Sequence, residues 1–243
     1  MIRRILRKGH LWKYPTYVSN SLRIIFHKHR KSPTLETVKD KWAIVLQIVN
    51  EFINLKIINN QIKQIENLVN EFSDFARMPK PTLKNNDLIK ILNDNINLLK
   101  EVNKSIEIKL IKESEHIIFN CDKEQIARVF FNLIKNSIES IEQKSEKNTD
   151  FKKKILIEIL DLNDHIKIVF IDNGVGFNEK NNINEILNPY YTTKKNGTGL
   201  GLSIVNKIIN DHKGELEFKS ISDGAKIEIN FKLDGNRNFN SRW

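Results

Sequence analysis

Asp172-Asn173-Gly174-Val175-Gly176 and Gly197-Thr198-Gly199-Leu200-Gly201 form two glycine clusters about one loop apart, and the second runs into an apolar-periodic helix. Upstream stands a third segment, Asn132-Leu133-Ile134-Lys135-Asn136. Phosphates are held by several inward-pointing backbone N–H groups, and a chain offers these most readily where no Cβ blocks close approach. Gly197, Gly199 and Gly201 supply such a turn, and the following helix (Leu200 to about Asp211) adds its N-terminal amides and positive dipole end. Asp172 ends the apolar strand 166–171, where a fixed carboxylate suits an exocyclic amino group such as that of adenine. Gly174 and Gly176 let the backbone run close to the base. Asn136 offers an amide oxygen, a hard ligand of the kind Mg²⁺ takes beside phosphates and water, with Asn132 one turn earlier on the same face. In this order and spacing the pieces describe an ATP site.

The glycines are neither a Walker loop, since no Gly-Lys-Ser/Thr follows them, nor a dinucleotide fingerprint, since the spacing is G-x-G-x-G. Lys194 and Lys195 stand just ahead of Gly197, placed to neutralise triphosphate charge, and the Thr198 hydroxyl is placed to reach a phosphate. Lys135 and Leu200 complete the expected ATP-binding set, and Glu139 continues the Asn136 face.

These blocks resemble the N, G1, F and G2 boxes of the sensor histidine kinases. The N box is Phe131–Glu139, the G1 box Asp172–Phe177, the F-box region Asn188–Lys195 and the G2 box Gly197–Ser203. Upstream, Val69–Pro79 is similar to the end of the dimerisation hairpin in NtrY-like nitrogen-regulation kinases. The resemblance implies a mixed α+β chain: an N-terminal helical dimerisation hairpin followed by a histidine-kinase-type ATP-binding α/β sandwich. It implies ATP and Mg²⁺ as cofactors, Asn136 as the metal ligand, Asn132 among the catalytic residues, and a response regulator as partner. It also implies a phosphoacceptor histidine in a His-Glu-x-x-Asn-Pro box. The comparable segment is His10-Leu11-Trp12-Lys13-Tyr14-Pro15, which keeps the His-to-Pro spacing but has Leu11 for Glu and Tyr14 for Asn. His10 is therefore the candidate phosphoacceptor of a degraded box. Two readings follow: an autophosphorylating histidine kinase, or an ATP-binding remnant that dimerises or regulates a partner.

The elements that must position these residues follow from periodicity. Between Val38 and Arg77 apolar residues recur in steps of three and four, predicting one long amphipathic helix. A stripe that long asks for partner helices, and hence a homodimer through 38–77. Met78-Pro79-Lys80-Pro81 stops the helix and makes a hinge. Beyond it the pattern predicts a helix from Asn86 to about Val102 and strand-like runs at Ile106–Leu110 and His116–Asn120. An N-box helix capped by Asp122 follows, then hairpins at 154–171 and 214–231. The sum is a sheet of about five strands with helices on one face. The expected division is a basic N-terminus or degraded first bundle helix (1–36), the dimerisation helix and hinge (37–81), the ATP-binding domain (82–234) and a tail (235–243).

Composition narrows the class. The net charge of +10 comes from scattered lysines, with one dense cluster at Arg3, Arg4, Arg7, Lys8 and 27–31. Stacking aromatics and a recognition helix are missing beside it, so no specific nucleic-acid binding is expected. The single cysteine excludes an internal disulfide framework. No apolar run reaches membrane-spanning length, and the expectation is a soluble cytoplasmic portion whose full-length relatives carry the membrane anchor.

Overall fold

A computed structural model describes residues 35–146, 150–162, 164–177, 183–194 and 197–233. The chain divides into two compact units, Met1–Asn67 and Leu68–Trp243. Helix α1 (Leu35–Ala76, 42 residues) begins in the first unit and ends in the second. Within the first unit many of its described apolar side chains are exposed, including Val49, Leu55, Ile58, Ile62 and Ile65 of the predicted stripe. Ile44, Leu46, Ile53 and Ile57 are exposed as well and fall off that stripe, so the helix is apolar on more than one side. The first arm of the expected hairpin, with His10, lies outside the described residues.

In the second unit the end of α1 is tied down by Phe75 and Met78, which pack on the core, and by an ion pair between Asp74 and Arg128 (3.2 Å). The remaining elements are β1 (Lys84–Asp87), α2 (Leu88–Val102), β2 (Glu107–Lys112), β3 (Ile118–Cys121), α3 (Lys123–Ser145), β4 (Lys154–Asp161) and β5 (His165–Asp172). They continue with α4 (Ile183–Ile186), α5 (Gly201–Asp211), β6 (Gly214–Ile221) and β7 (Gly224–Lys232). The main sheet runs β2-β4-β5-β7-β6. The β2–β4 pair is parallel and the other pairs are antiparallel.

Alternation explains which face is buried. Ile155, Ile157 and Ile159 on β4, Ile166, Ile168 and Phe170 on β5, and Ile227, Ile229 and Phe231 on β7 all point one way. Onto them pack α3 through Ile126, Val129, Phe130, Leu133, Ile134, Ile138 and Ile141, and α5 through Ile204, Val205, Ile208 and Ile209. The five-stranded sheet with helices on one face is the predicted architecture, and Asp122 caps α3 by accepting from the Glu124 and Gln125 N–H groups.

Three local details differ from the sequence reading. Asn86 and Asp87 belong to a short strand, β1, and α2 starts only at Leu88, because the Asp87 carboxylate accepts from Ile89 N–H and caps the helix there. The β3 strand leaves the main sheet and pairs antiparallel with β1. The one-turn α4 was not anticipated. On the opposite face of the sheet Glu228 is only 3% exposed, held by Lys226 (2.6 Å), Lys219 (2.9 Å) and Lys167 (3.1 Å). These ammonium groups pull its carboxyl down to about 2. Among the described residues no helix is long and apolar enough to cross a membrane.

Candidate functional site

Asp172 is the last residue of β5, which β4 and β7 flank on either side, so its backbone is fixed by ladders to Ile155 and Ala225. Its side chain turns under α3 and is 5% exposed. Ser137 Oγ donates to Oδ2 (3.0 Å) and the Gly174 N–H to Oδ1 (2.9 Å). Burial pushes the carboxyl above its ordinary value, opposed by the Gly174 N–H, the Ser137 hydroxyl, the Ala225 backbone and the charge of Lys144. Each carboxylate oxygen can accept more than one hydrogen bond, so capacity remains for a further donor.

The turn after Asp172 is pressed against two neighbours. A Cβ on Gly174 would lie 2.2 Å from Ser140 Oγ, which itself accepts from the Val175 N–H (3.0 Å). Gly176 has φ +72°, and a Cβ there would lie 2.6 Å from the Gly224 carbonyl oxygen. In this structure both glycines answer to close protein packing on α3 and on the β6–β7 turn. Lys144 donates to the Asn173 carbonyl (2.8 Å) and to Asp223, tying the same turn to the end of α3.

Helix α3 carries the other half. Its Asn132, Asn136 and Glu139 lie along one face. The start of α5 abuts that face: a Cβ on Gly201 would sit 3.4 Å from Asn132 Oδ1 and 3.9 Å from Asn136 Nδ2. Gly201 is thus the glycine whose missing side chain leaves room between α5 and the asparagine pair. No side chain caps α5 at Leu200, so its first amides are not taken up by a capping group. Asn132 Nδ2 donates back to the Arg128 carbonyl (2.9 Å). Lys194 reaches across from the preceding loop: its Nζ donates to Asn136 Oδ1 (3.1 Å) and to Glu139 Oε2. Lys135 lies one turn from Glu139, with its Nζ 3.9 Å from Oε1.

The glycine loop is held from two sides. Gly197 N–H donates to the Lys194 carbonyl (3.2 Å), and Gly199, at φ +71°, passes so close to Tyr190 that a Cβ would lie 2.4 Å from its carbonyl carbon. Tyr190 N–H donates to the Gly199 carbonyl (3.1 Å), and Tyr190 itself has φ +70°. The Thr198 hydroxyl bonds to Glu71 near the end of α1, and the Phe72 ring stacks on Tyr190 at 6.4 Å.

The structure therefore brings Asp172, Asn132, Asn136, Lys194 and Gly201 together around α3, with Gly197, Thr198, Gly199 and Leu200 on the adjoining loop. Lys195 and His10 lie outside the described residues. Sequence reasoning passed over Ser137, Ser140, Glu71 and Gly224. Ser140 had a readable signal, standing four residues after Asn136 and so on its helix face; the other three act across long sequence separations. A cavity of about 630 Å³ borders Asp172 and Asn173 but is lined otherwise by Lys144, Phe151, Lys152, Lys154, Leu156, Ile171 and Asp223. Among the described residues none of 190–194 or 197–201 lines it, so it lies beside the α3 face that carries Asn132, Asn136 and Glu139 rather than on it.

Comparison with known proteins adds the family. Residues 121–235 match the family described as histidine kinase-, DNA gyrase B- and HSP90-like ATPase. An NtrY-like sensor histidine kinase of Rickettsia bellii is 36% identical over 186 residues, covering 76% of this chain and 29% of that protein. The chain thus spans under a third of that relative's length. The catalytic domain of histidine kinase ThkA superposes with a TM-score of 0.54 at 25% identity, over 62% of this chain and 95% of that one. ThkA in complex with the response regulator TrrA aligns over 97% of this chain and 62% of that one, with a TM-score of 0.60 at 20% identity. With the sandwich, the buried acid at the end of its central strand and the matched segment in agreement, residues 121–235 form a histidine kinase-, DNA gyrase B- and HSP90-like ATPase domain, and over 76% of its length the chain is similar to an NtrY-like sensor histidine kinase.

Proposed function

We propose that this chain binds Mg·ATP in the crevice between α3 and the 190–201 loop and works as an ATP-dependent histidine kinase of a two-component system. The observation that carries the reading is the Asp172 carboxylate, buried at a fixed strand end with acceptor capacity left over. It would accept from the adenine amino group. The space beside Gly201 and the uncapped start of α5 suit phosphates, and Asn136 would hold Mg²⁺, which neutralises phosphate charge when bound. Among the described residues no cluster of three or more His, Cys, Asp or Glu could hold a metal alone, so the ion would depend on the phosphates for most of its ligands.

In the transfer we assign, an imidazole nitrogen of His10 attacks the γ-phosphorus. The bond to the bridging oxygen breaks, ADP leaves, and the imidazole gives up its proton to solvent. The protein contributes mainly position and charge. The phosphoryl group then passes to an Asp of a response regulator, a partner class suggested by the ThkA–TrrA complex. The exposed apolar faces of α1 would pair two copies. We place the domain boundary at the Pro79–Pro81 hinge and the working site in the cytoplasm.

One observation favours a second reading: Leu11 and Tyr14 replace the acidic and amide residues beside His10. A chain so altered would bind ATP, dimerise and regulate an intact partner. Incubation with Mg²⁺ and γ-labelled ATP separates the two. Acid-labile, base-stable label that is lost in His10→Ala and in Asp172→Ala supports the kinase. No label, with nucleotide binding lost only in Asp172→Ala, supports the remnant.

A further inference from the structure

Lys194 reaches two oxygens of α3 of a kind that a divalent cation also uses. Its ammonium bonds to Asn136 Oδ1 (3.1 Å) and to Glu139 Oε2, two oxygens one turn apart on α3. These are hard oxygen donors, suited to Mg²⁺ as well as to an ammonium. The lysine is not a loose surface side chain. Its N–H donates to Thr192 Oγ1 (3.1 Å) and its carbonyl accepts from Gly197 N–H (3.2 Å), so its backbone is held at both polar groups. Lys135, the other lysine near Glu139, approaches only to 3.9 Å and makes no bond to Asn136.

A monovalent and a divalent cation cannot share two oxygens a few ångströms apart, because their repulsion grows as the separation shrinks. Either the ammonium stays and the metal is kept out, or the metal enters and the ammonium leaves. The second course needs somewhere for the positive charge to go, and a triphosphate lying along the start of α5 supplies it.

We propose that Lys194 is an internal cation plug. In the nucleotide-free chain its ammonium fills the metal position at Asn136 and Glu139, and it is exchanged for the divalent ion only when phosphates arrive to receive it. The inference rests on the proposed function, since it presumes that Mg·ATP enters this crevice. Its consequence is coupling: metal alone binds poorly, and metal and nucleotide bind well together. Lys194 is here a positioning and gating residue in addition to any contact it makes with phosphate.

The test uses the whole chain with Mn²⁺ as a paramagnetic probe, titrated without nucleotide, in wild type, Lys194→Met, Lys194→Arg and the double variant Lys194→Met/Glu139→Gln. A fluorescent ATP analogue is titrated in parallel with and without metal. Removing the plug should tighten Mn²⁺ binding in Lys194→Met by about tenfold, the scale of one charge-assisted contact. Lys194→Arg, which keeps the charge, should stay near wild type, and the double variant should lose the gain. Equal Mn²⁺ binding in wild type and Lys194→Met would overturn the plug while leaving ATP binding standing. Failure of wild type to bind the analogue with Mg²⁺ present would remove the proposed function and the plug together.

Discussion

Replacing Ser137 by Ala tests whether Asp172 is held as a buried charge. Ser137 is 2% exposed, and its hydroxyl donates to Asp172 Oδ2 at 3.0 Å. Hydrogen bonds to charged groups contribute about 1.5–3 kcal/mol, against about 0.5–1.5 for neutral pairs. At neutral pH the variant should lose stability in the larger range, because Oδ2 keeps its charge and loses a donor. The pH dependence has a definite sign. Burial raises the carboxyl above its ordinary 3.8, so between that value and its folded value the native state binds more protons than the unfolded chain. Wild-type stability therefore gains from this group as pH falls through that window. The Ser137 hydroxyl favours the charged form, so its removal matters most above the folded value and least below it. Urea unfolding followed by circular dichroism, at neutral pH and in acid, reads both limits. The loss should shrink to the neutral-pair range in acid. A loss equal at the two pH values, or one below about 0.5 kcal/mol at neutral pH, would refute the buried-charge argument.

Two further outcomes are expected. Glu228 is pulled from 4.5 down to about 2 by its three lysines, so its contribution is present above 4.5 and disappears as pH falls toward 2. In an acid series of unfolding curves, Glu228→Gln should therefore lose less stability than wild type across that interval, and parallel curves would refute the linkage. On α1, Ile58 and Ile62 are half exposed, and charging both with Glu should convert a dimer to monomers by light scattering. A monomeric wild type, or an unchanged double variant, would refute pairing through this helix.

Local pattern was enough wherever an element buries one face of itself. The alternating isoleucines of β4, β5 and β7 and the three-and-four spacing of α3 specify which side is inside before any partner is known. Asp122 was readable as a cap because the polar residue and the helix it serves are adjacent. What was not readable depends on distant partners. The β1 strand exists because Lys84–Asp87 meets Ile118–Cys121 more than thirty residues away. Its run of Lys, Asn and Asp carries no strand signal of its own. Ser137 looks like a neutral helix residue until the strand end beneath it is in place. Glu71 and Thr198 are 127 residues apart. The glycines were legible as places of close approach, but not the protein neighbours, Ser140 and Gly224, that come close to Gly174 and Gly176.

The central position of β5 has a consequence for inhibitor selectivity. Asp172 is anchored through ladders on both sides, by a helix hydroxyl and by the turn pressed on Gly224, whereas Lys194 and Thr198 reach their partners from a single loop. Compounds competing at the acid would meet a wall that cannot adapt, so small changes in their ring substituents should be punished or rewarded sharply. Compounds extended toward the loop would meet Lys194 and Thr198 already bonded to Asn136, Glu139 and Glu71, so an extension should gain only where it replaces the bonds it displaces.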